Sequence, residues 1–234
     1  MSLEVSIMMI SPESYYEEYL KGKTQEQIMT AIRGLKQEIG HLKNTMEHPN
    51  YGHEAIMYPS ESTRLWCIRM YLQRAKQAFV EVGGTYSPSK AEQKALVFNE
   101  SIPAISKLVF LIGGFFGGYE TRTFRLDEVH LYTEVNHSIN LKPTNIHVEA
   151  DCPTTKDAFL EGISKLHIGE WRSRYTLDKF GYHICDGTQW GLKIYFSDGH
   201  KPVKIYGDNS YPYNFDEFQE LLGIANDFEA DEDE

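Results

Sequence analysis

Two histidines and two glutamates form the best metal-binding candidate in the chain: His130, Glu134, His147 and Glu149. Each His–Glu pair is spaced by an even number of residues, so on a strand both side chains share a face. If the two strands pair, two imidazoles and two carboxylates converge, a donor set that suits zinc or another divalent ion. Such a site would serve a metal-dependent hydrolase. The same alternation is what the wet face of an antiparallel sheet shows without any metal. The glycine cluster Gly113-Gly114-Phe115-Phe116-Gly117-Gly118 lacks the Lys-Ser/Thr of a phosphate-binding loop and the spacing of a dinucleotide fingerprint. Its glycines suit a tight turn, and the turn would present Phe115 and Phe116 as aromatic anchors if they are exposed. Neither G-x-S-x-G nor H-E-x-x-H occurs in the sequence.

Charge gives a second candidate. The apolar residues Ile28, Ile32, Leu35, Ile39, Leu42 and Met46 are spaced 4, 3, 4, 3, 4, and Leu65, Ile68, Leu72, Ala75, Phe79 and Val82 are spaced 3, 4, 3, 4, 3. Both are heptad stripes. With Ile32 and Leu65 as a positions, Lys36, Lys43, Arg69 and Lys76 all fall at e. In an antiparallel pair the two e edges face each other, so one edge of the hairpin is wholly basic. Its natural complement is acidic: Glu13, Glu17 and Glu18 of a first helix, the acidic tail, or a partner protein. The ordinary alternative is four long side chains splayed into water. A third cluster, Trp171-Arg172-Ser173-Arg174-Tyr175 with Arg122 and Arg125, has the composition of a single-strand nucleic-acid surface. Arg122 and Arg125 fall on opposite faces of a strand, and the acidic chain disfavours nucleic acid.

These residues need elements to hold them. Ser11-Pro12 opens a short helix to Leu20, and Thr24 with Gln27 makes a capping box for a helix over 24–47. Ser60 caps the next, over 60–82, and Trp66 with Met70 suggests a second apolar face on it. Ser87-Pro88 opens a third segment to Asn99. Beyond Pro103 the period changes to two. Strands are expected at Ile105–Ile112, Tyr119–Leu126, Val129–Val135, Asn145–Ala150 and Glu170–Thr176. Asp186-Gly187 and Asp198-Gly199 bracket another, Gln189–Ser197, and Val203–Tyr206 closes a three-stranded meander. Helices follow Thr154 and Asn214, the latter read as an N-cap. Pro153, Asp157, Phe159 and Glu161 recur as Pro212, Asp216, Phe218 and Glu220 at a constant offset of 59, which suggests a duplicated β-rich unit ending in a helix.

Composition bounds the class. The chain has 234 residues with net charge −11, 41% hydrophobic and 24% charged residues, which are ordinary globular values. Six of the last eight residues are carboxylates, a block that cannot pack on itself. Cys67, Cys152 and Cys185 are odd in number and widely spaced, against a disulfide framework or a cysteine zinc site. No signal peptide or membrane span is visible, and the expected location is cytoplasmic. The strings Ser11 to His48, Gly113 to Arg122, and Tyr211-Pro212-Tyr213-Asn214-Phe215-Asp216-Glu217 together resemble an uncharacterised bacterial protein family with no assigned function. That resemblance implies no activity, cofactor or partner.

The sequence therefore predicts an α+β protein. Residues 1–100 form a helical segment built on the long hairpin, 101–226 an antiparallel sheet with two helices, and 227–234 an acidic disordered tail. The expected function is a non-enzymatic intracellular interaction protein that meets a protein partner through the hairpin, without a cofactor, with self-association open. The alternative is the metal-dependent hydrolase on the sheet face.

Overall fold

The structure, a computed structural model, describes residues 10–52, 58–114, 116–139, 142–150, 154–182 and 186–224; for 139 and 142–150 it describes the backbone. Phe115, Cys152, Cys185, the acidic tail and the His147 and Glu149 side chains lie outside the described residues. The protein is α+β, with N-terminal helices preceding a largely antiparallel sheet. It divides into two compact units, Met1–Pro88 and Ser89–Glu234. Among the described residues no helix is long and apolar enough to cross a membrane.

In the first unit, α1 (Pro12–Tyr15) starts at Ser11, whose hydroxyl accepts from the Ser14 amide, and runs on as a π-helical turn to Leu20. The helix α2 (Gln25–Met46) carries the full capping box: Thr24 Oγ1 accepts from the Gln27 amide, and Gln27 Oε1 accepts from the Thr24 amide. The helix α3 (Glu61–Glu81) is capped by Ser60. Two contacts fix the antiparallel register of α2 and α3. Gln25 Nε2 donates to Val82 O at 2.8 Å, and Arg64 pairs with Glu38 at 2.8 Å. Ile28, Ile32, Leu35, Leu42 and Met46 are buried, as are Leu65, Ile68, Ala75 and Phe79. Leu72 and Ile39 are only half-buried, and Val82 at the end of the stripe is exposed.

The second buried face of α3 differs from the expected one. Trp66 is 64% exposed, and Cys67, Tyr71 and Ala78 are buried in its place. The cause is α1, which packs on that side. The Tyr15 and Tyr71 rings stack at 4.5 Å, and the Tyr71 hydroxyl both donates to Ile10 O and accepts from the Ile10 amide. Arg74 lies 3.8 Å from the Tyr16 ring centre and pairs with Glu13 at 3.6 Å. Glu17 pairs with Lys21. Glu13 of α1 thus faces Arg74, on the side of α3 away from the e positions.

In the second unit, α4 (Lys90–Ser101) is capped by Ser89 in a capping box with Glu92, two residues later than Ser87-Pro88 suggested. Lys94 of α4 donates to Trp171 O at 2.8 Å, and burial lowers its pKa. That contact ties α4 to the sheet unit, so the boundary falls near Pro88 rather than residue 100. Among the described residues seven strands follow: β1 (Ile105–Gly114), β2 (Gly118–Leu126), β3 (Leu131–Ile139), β4 (Lys142–Ala150), β5 (Arg174–Thr176), β6 (Gln189–Phe196) and β7 (Val203–Asp208). Their order is β4-β3-β2-β1-β6-β7-β5. All neighbours are antiparallel except β5 and β7, which run parallel. The expected meander therefore does not form: β6 pairs with β1, and β5 reaches the sheet only through β7. The helix α5 (Lys156–Lys165) is capped by Thr155, and α6 (Phe215–Leu221) closes the unit.

Alternation divides the sheet into two faces. Leu108, Phe110, Phe124, Leu192, Ile194 and Ile205 point to one side, where they join Phe159, Ile163, Phe215 and Phe218 in a single core. Phe159 of α5 and Phe218 of α6, equivalent in the internal echo, are both fully buried there. Yet β4 is an edge strand and β7 an inner one, so the two copies sit in different sheet environments.

The string Gly207 to Asn214 is structural. Trp190 Nε1 donates to Ser210 O, and the indole lies where a Cβ on residue 207 would be, so only glycine fits. Asn209 adopts the left-handed conformation at φ 50° and its Oδ1 accepts from the Thr188 amide. Asn214 makes no side-chain cap, contrary to the N-cap expectation. Its Oδ1 accepts from Trp171 Nε1 and its Nδ2 donates to Leu166 O.

Candidate binding face of the sheet

Helices α4, α5 and α6 pack on one face of the sheet; on the other, a cleft of about 860 Å³ is lined by β1, β2, β5, β6 and β7. Clefts of this size hold small ligands or extended chain segments. Register places its side chains in three rows. Lys193 stands opposite Lys204, Gly191 opposite Tyr206, and Gln189 opposite Asp208. From the parallel neighbour β5, Arg174 joins the middle row and Thr176 the last. Val109, Leu111 and Thr121 line the cleft from β1 and β2. A smaller hollow of about 160 Å³ shares Arg174, Thr176 and Asp208 and continues the cleft at the β5 edge.

Two like charges directly opposite each other across strands are destabilising, and Arg174 adds a third positive charge nearby. Among the described residues Asp208 is the carboxylate lining the cleft, at the far end, where it accepts from Asn209 Nδ2, and Asp178 lines the smaller hollow beyond it. The centre is aromatic. The Cδ1–Cε1 edge of the Tyr206 ring reaches van der Waals contact with the position of a Gly191 Cβ, so the ring leans over the glycine while 47% of the residue stays exposed. Gln189 Oε1 accepts from the Tyr119 hydroxyl at 3.1 Å. The cleft thus offers a cationic end, a half-exposed ring and a polar end.

The metal candidates fall elsewhere. The strands β3 and β4 do pair, with Glu134 opposite Glu149 and Asn136 opposite His147. His130 lies in the turn before β3, its Nδ1 3.6 Å from Asp127. Glu134 pairs with Arg125 at 3.3 Å and accepts from Asn136 Nδ2. Among the described residues no three His, Cys, Asp or Glu side chains group as metal ligands. Asp127 instead shapes the turn. Its Oδ1 accepts from the His130 and Val129 amides and its Oδ2 from the Tyr132 hydroxyl. These bonds, the His130 amide first, hold its carboxyl down to about 2. A depressed carboxyl pKa stabilises the folded turn above the unfolded value, and that stabilisation is lost as pH falls through the folded value. A carboxyl ¹³C titration of Asp127 is expected to show a midpoint of about 2, with the Val129 and His130 amides shifting in step. A midpoint near the ordinary 3.8 would show that the turn is open.

On the hairpin, Lys36 and Lys76 lie over one ring, with their ammonium groups 5.2 and 4.8 Å from the centre of Tyr86. Lys43 and Arg69 are half-buried further along the same helices. Phe116 is 81% exposed at the tip of the β1–β2 hairpin. The aromatic-basic cluster dissolves. Trp171 and Tyr175 are core residues, Arg172 lies over the Tyr175 ring, and Arg122 donates to Leu222 O and Gly223 O at the end of α6. Of its arginines, Arg174 and Arg125 stand on the open face, and Ser173 with Arg174 and Tyr175 lines the cleft. Lys204, Tyr206 and Gln189 did not stand out in the sequence as a site. Their signal was the polar alternation of two strands, which becomes a site only once β5, β6 and β7 are known to be neighbours.

Compared with protein families, curated proteins and solved structures, the chain has no match to any of them. What defines its second unit is its own geometry: α4, α5 and α6 on one side of a sheet and a basic, tyrosine-bearing cleft on the other.

Proposed function

We propose that this is a non-enzymatic binding protein that holds an anionic partner on the open face of its sheet. The observation that supports this is the Lys193–Lys204 cross-strand pair beside Arg174, in a cleft of about 860 Å³. Facing like charges gain most from a bound anion, because the anion replaces mutual repulsion with two attractions. A second reading keeps the hairpin as the contact, favoured by Lys36 and Lys76 converging on Tyr86. One experiment separates the two. Amide chemical shifts of the full chain are followed as pyrophosphate or poly-glutamate is added, at low and at moderate salt. Shifts at Arg174, Lys193, Lys204 and Tyr206 that fade with salt and vanish in Lys193→Glu/Lys204→Glu support the sheet face. Shifts at Lys36, Lys76 and Tyr86 that vanish in Lys36→Glu/Lys76→Glu transfer the function to the hairpin. Silence at both surfaces defeats both readings.

A further inference from the structure

We infer that the ligand of the open face is a nucleoside phosphate whose base carries an amino group; this rests on the anion-binding reading above and adds the identity of the anion. The three rows of the cleft are in the order such a molecule needs. Strand neighbours lie about 4.8 Å apart and same-face residues on one strand about 6.6 Å apart. Lys193 and Lys204 therefore form one cationic row, Tyr206 stands one step along β7, and Asp208 with Gln189 one step further.

A phosphate belongs at the lysine end, where two ammonium groups can each donate to it. A base belongs over Tyr206. Its ring leans over Gly191, yet it is 47% exposed, so a planar group can stack on it at little ordering cost. The step between the two rows is about what a ribose spans between base and phosphate. Arg174 flanks the ring from β5 and can stack on the same base or reach the phosphate. The far row then meets the base edge. Asp208 as a carboxylate only accepts, so it selects a base that donates from an exocyclic amine. Gln189 and Thr176 supply further partners there.

Asp208 also sets the orientation, since a phosphate at its end would meet a negative charge.

The test is calorimetric titration of the full chain with ADP, GDP, CDP and UDP, with the parent nucleosides, with pyrophosphate and with a ten-residue oligothymidylate. The diphosphates are expected to bind more tightly than either pyrophosphate or the nucleosides, with UDP the weakest of the four. Tyr206→Leu should weaken nucleotide binding about 5- to 150-fold, the worth of one base stacked on an aromatic ring, and leave pyrophosphate unchanged. Tyr206→Phe, which keeps the ring, should bind as the parent does. Lys193→Gln with Lys204→Gln should weaken pyrophosphate and nucleotides alike. Asp208→Asn should erase the disadvantage of UDP. Pyrophosphate binding as tight as ADP, with Tyr206→Leu silent, overturns the nucleotide assignment and leaves anion binding standing. Binding of the oligothymidylate without any mononucleotide overturns it as well. Failure of every ligand, pyrophosphate included, removes the anion-binding reading itself.

Discussion

Phe218→Ala is expected to cost the C-terminal unit about 3–5 kcal/mol, because it opens a cavity at the centre of an aromatic core. Phe218 is fully buried on α6, edge-on to Phe110 at 5.2 Å and to Trp171 at 5.3 Å. Phe110 in turn packs against Trp190 and Phe215, so the ring is part of a continuous network. Rings fixed in this way from both a sheet and a helix leave little room for collapse into the void. Urea denaturation followed by tryptophan fluorescence measures the loss, since Trp171 and Trp190 both report on this core while Trp66 is already exposed on the other unit. A loss below about 1 kcal/mol would mean that α6 does not dock on the sheet as described. Phe116→Ala is the internal control: at 81% exposure it should change stability by no more than about 0.5 kcal/mol.

The contrast between Phe116 and Phe218 marks what the sequence makes legible. Local periodicity carries the hairpin: the caps at Thr24 and Ser60 and most of the two heptad stripes are where the spacing puts them, since they depend on neighbours three and four residues away. The second face of α3 is not legible locally because it is set by α1, whose docking through Tyr15, Tyr71 and Arg74 spans about sixty residues of chain. The strands were visible one by one, but the partners of β5 and β6 were not. Pairing between β1 and β6 joins residues 76 to 91 positions apart, and no local signal distinguishes that from a meander. The candidate cleft was invisible for the same reason. Lys193, Tyr206 and Arg174 are ordinary polar-face residues until three strands bring them onto one surface.

Asn214 shows the same conflict at a single residue, and it gives the sharper test. By local sequence it is an N-cap, with Glu217 three residues on. An N-cap accepts aspartate as readily as asparagine, and losing one costs about 1 kcal/mol. In the structure Asn214 is 7% exposed and bridges two elements, accepting from Trp171 Nε1 at 3.1 Å and donating to Leu166 O at 2.8 Å. A bridge needs both an acceptor and a donor. Asn214→Asp keeps the first, loses the second, and places a carboxylate against a carbonyl in the core. It is therefore expected to destabilise the unit at neutral pH by more than about 2 kcal/mol, and by more than Asn214→Ala does. Burial would raise the pKa of the introduced carboxyl above its unfolded value of about 3.9. The proton is then bound more tightly in the folded state, so the defect should shrink as pH is lowered toward that value and grow as pH rises. Denaturation of the two variants across pH 4 to 8, in moderate salt, measures both effects. If Asn214→Asp is as stable as the parent at neutral pH while Asn214→Ala loses about 1 kcal/mol, the residue is the cap that the local sequence suggests, and the bridge between α6 and the segment after α5 carries no weight.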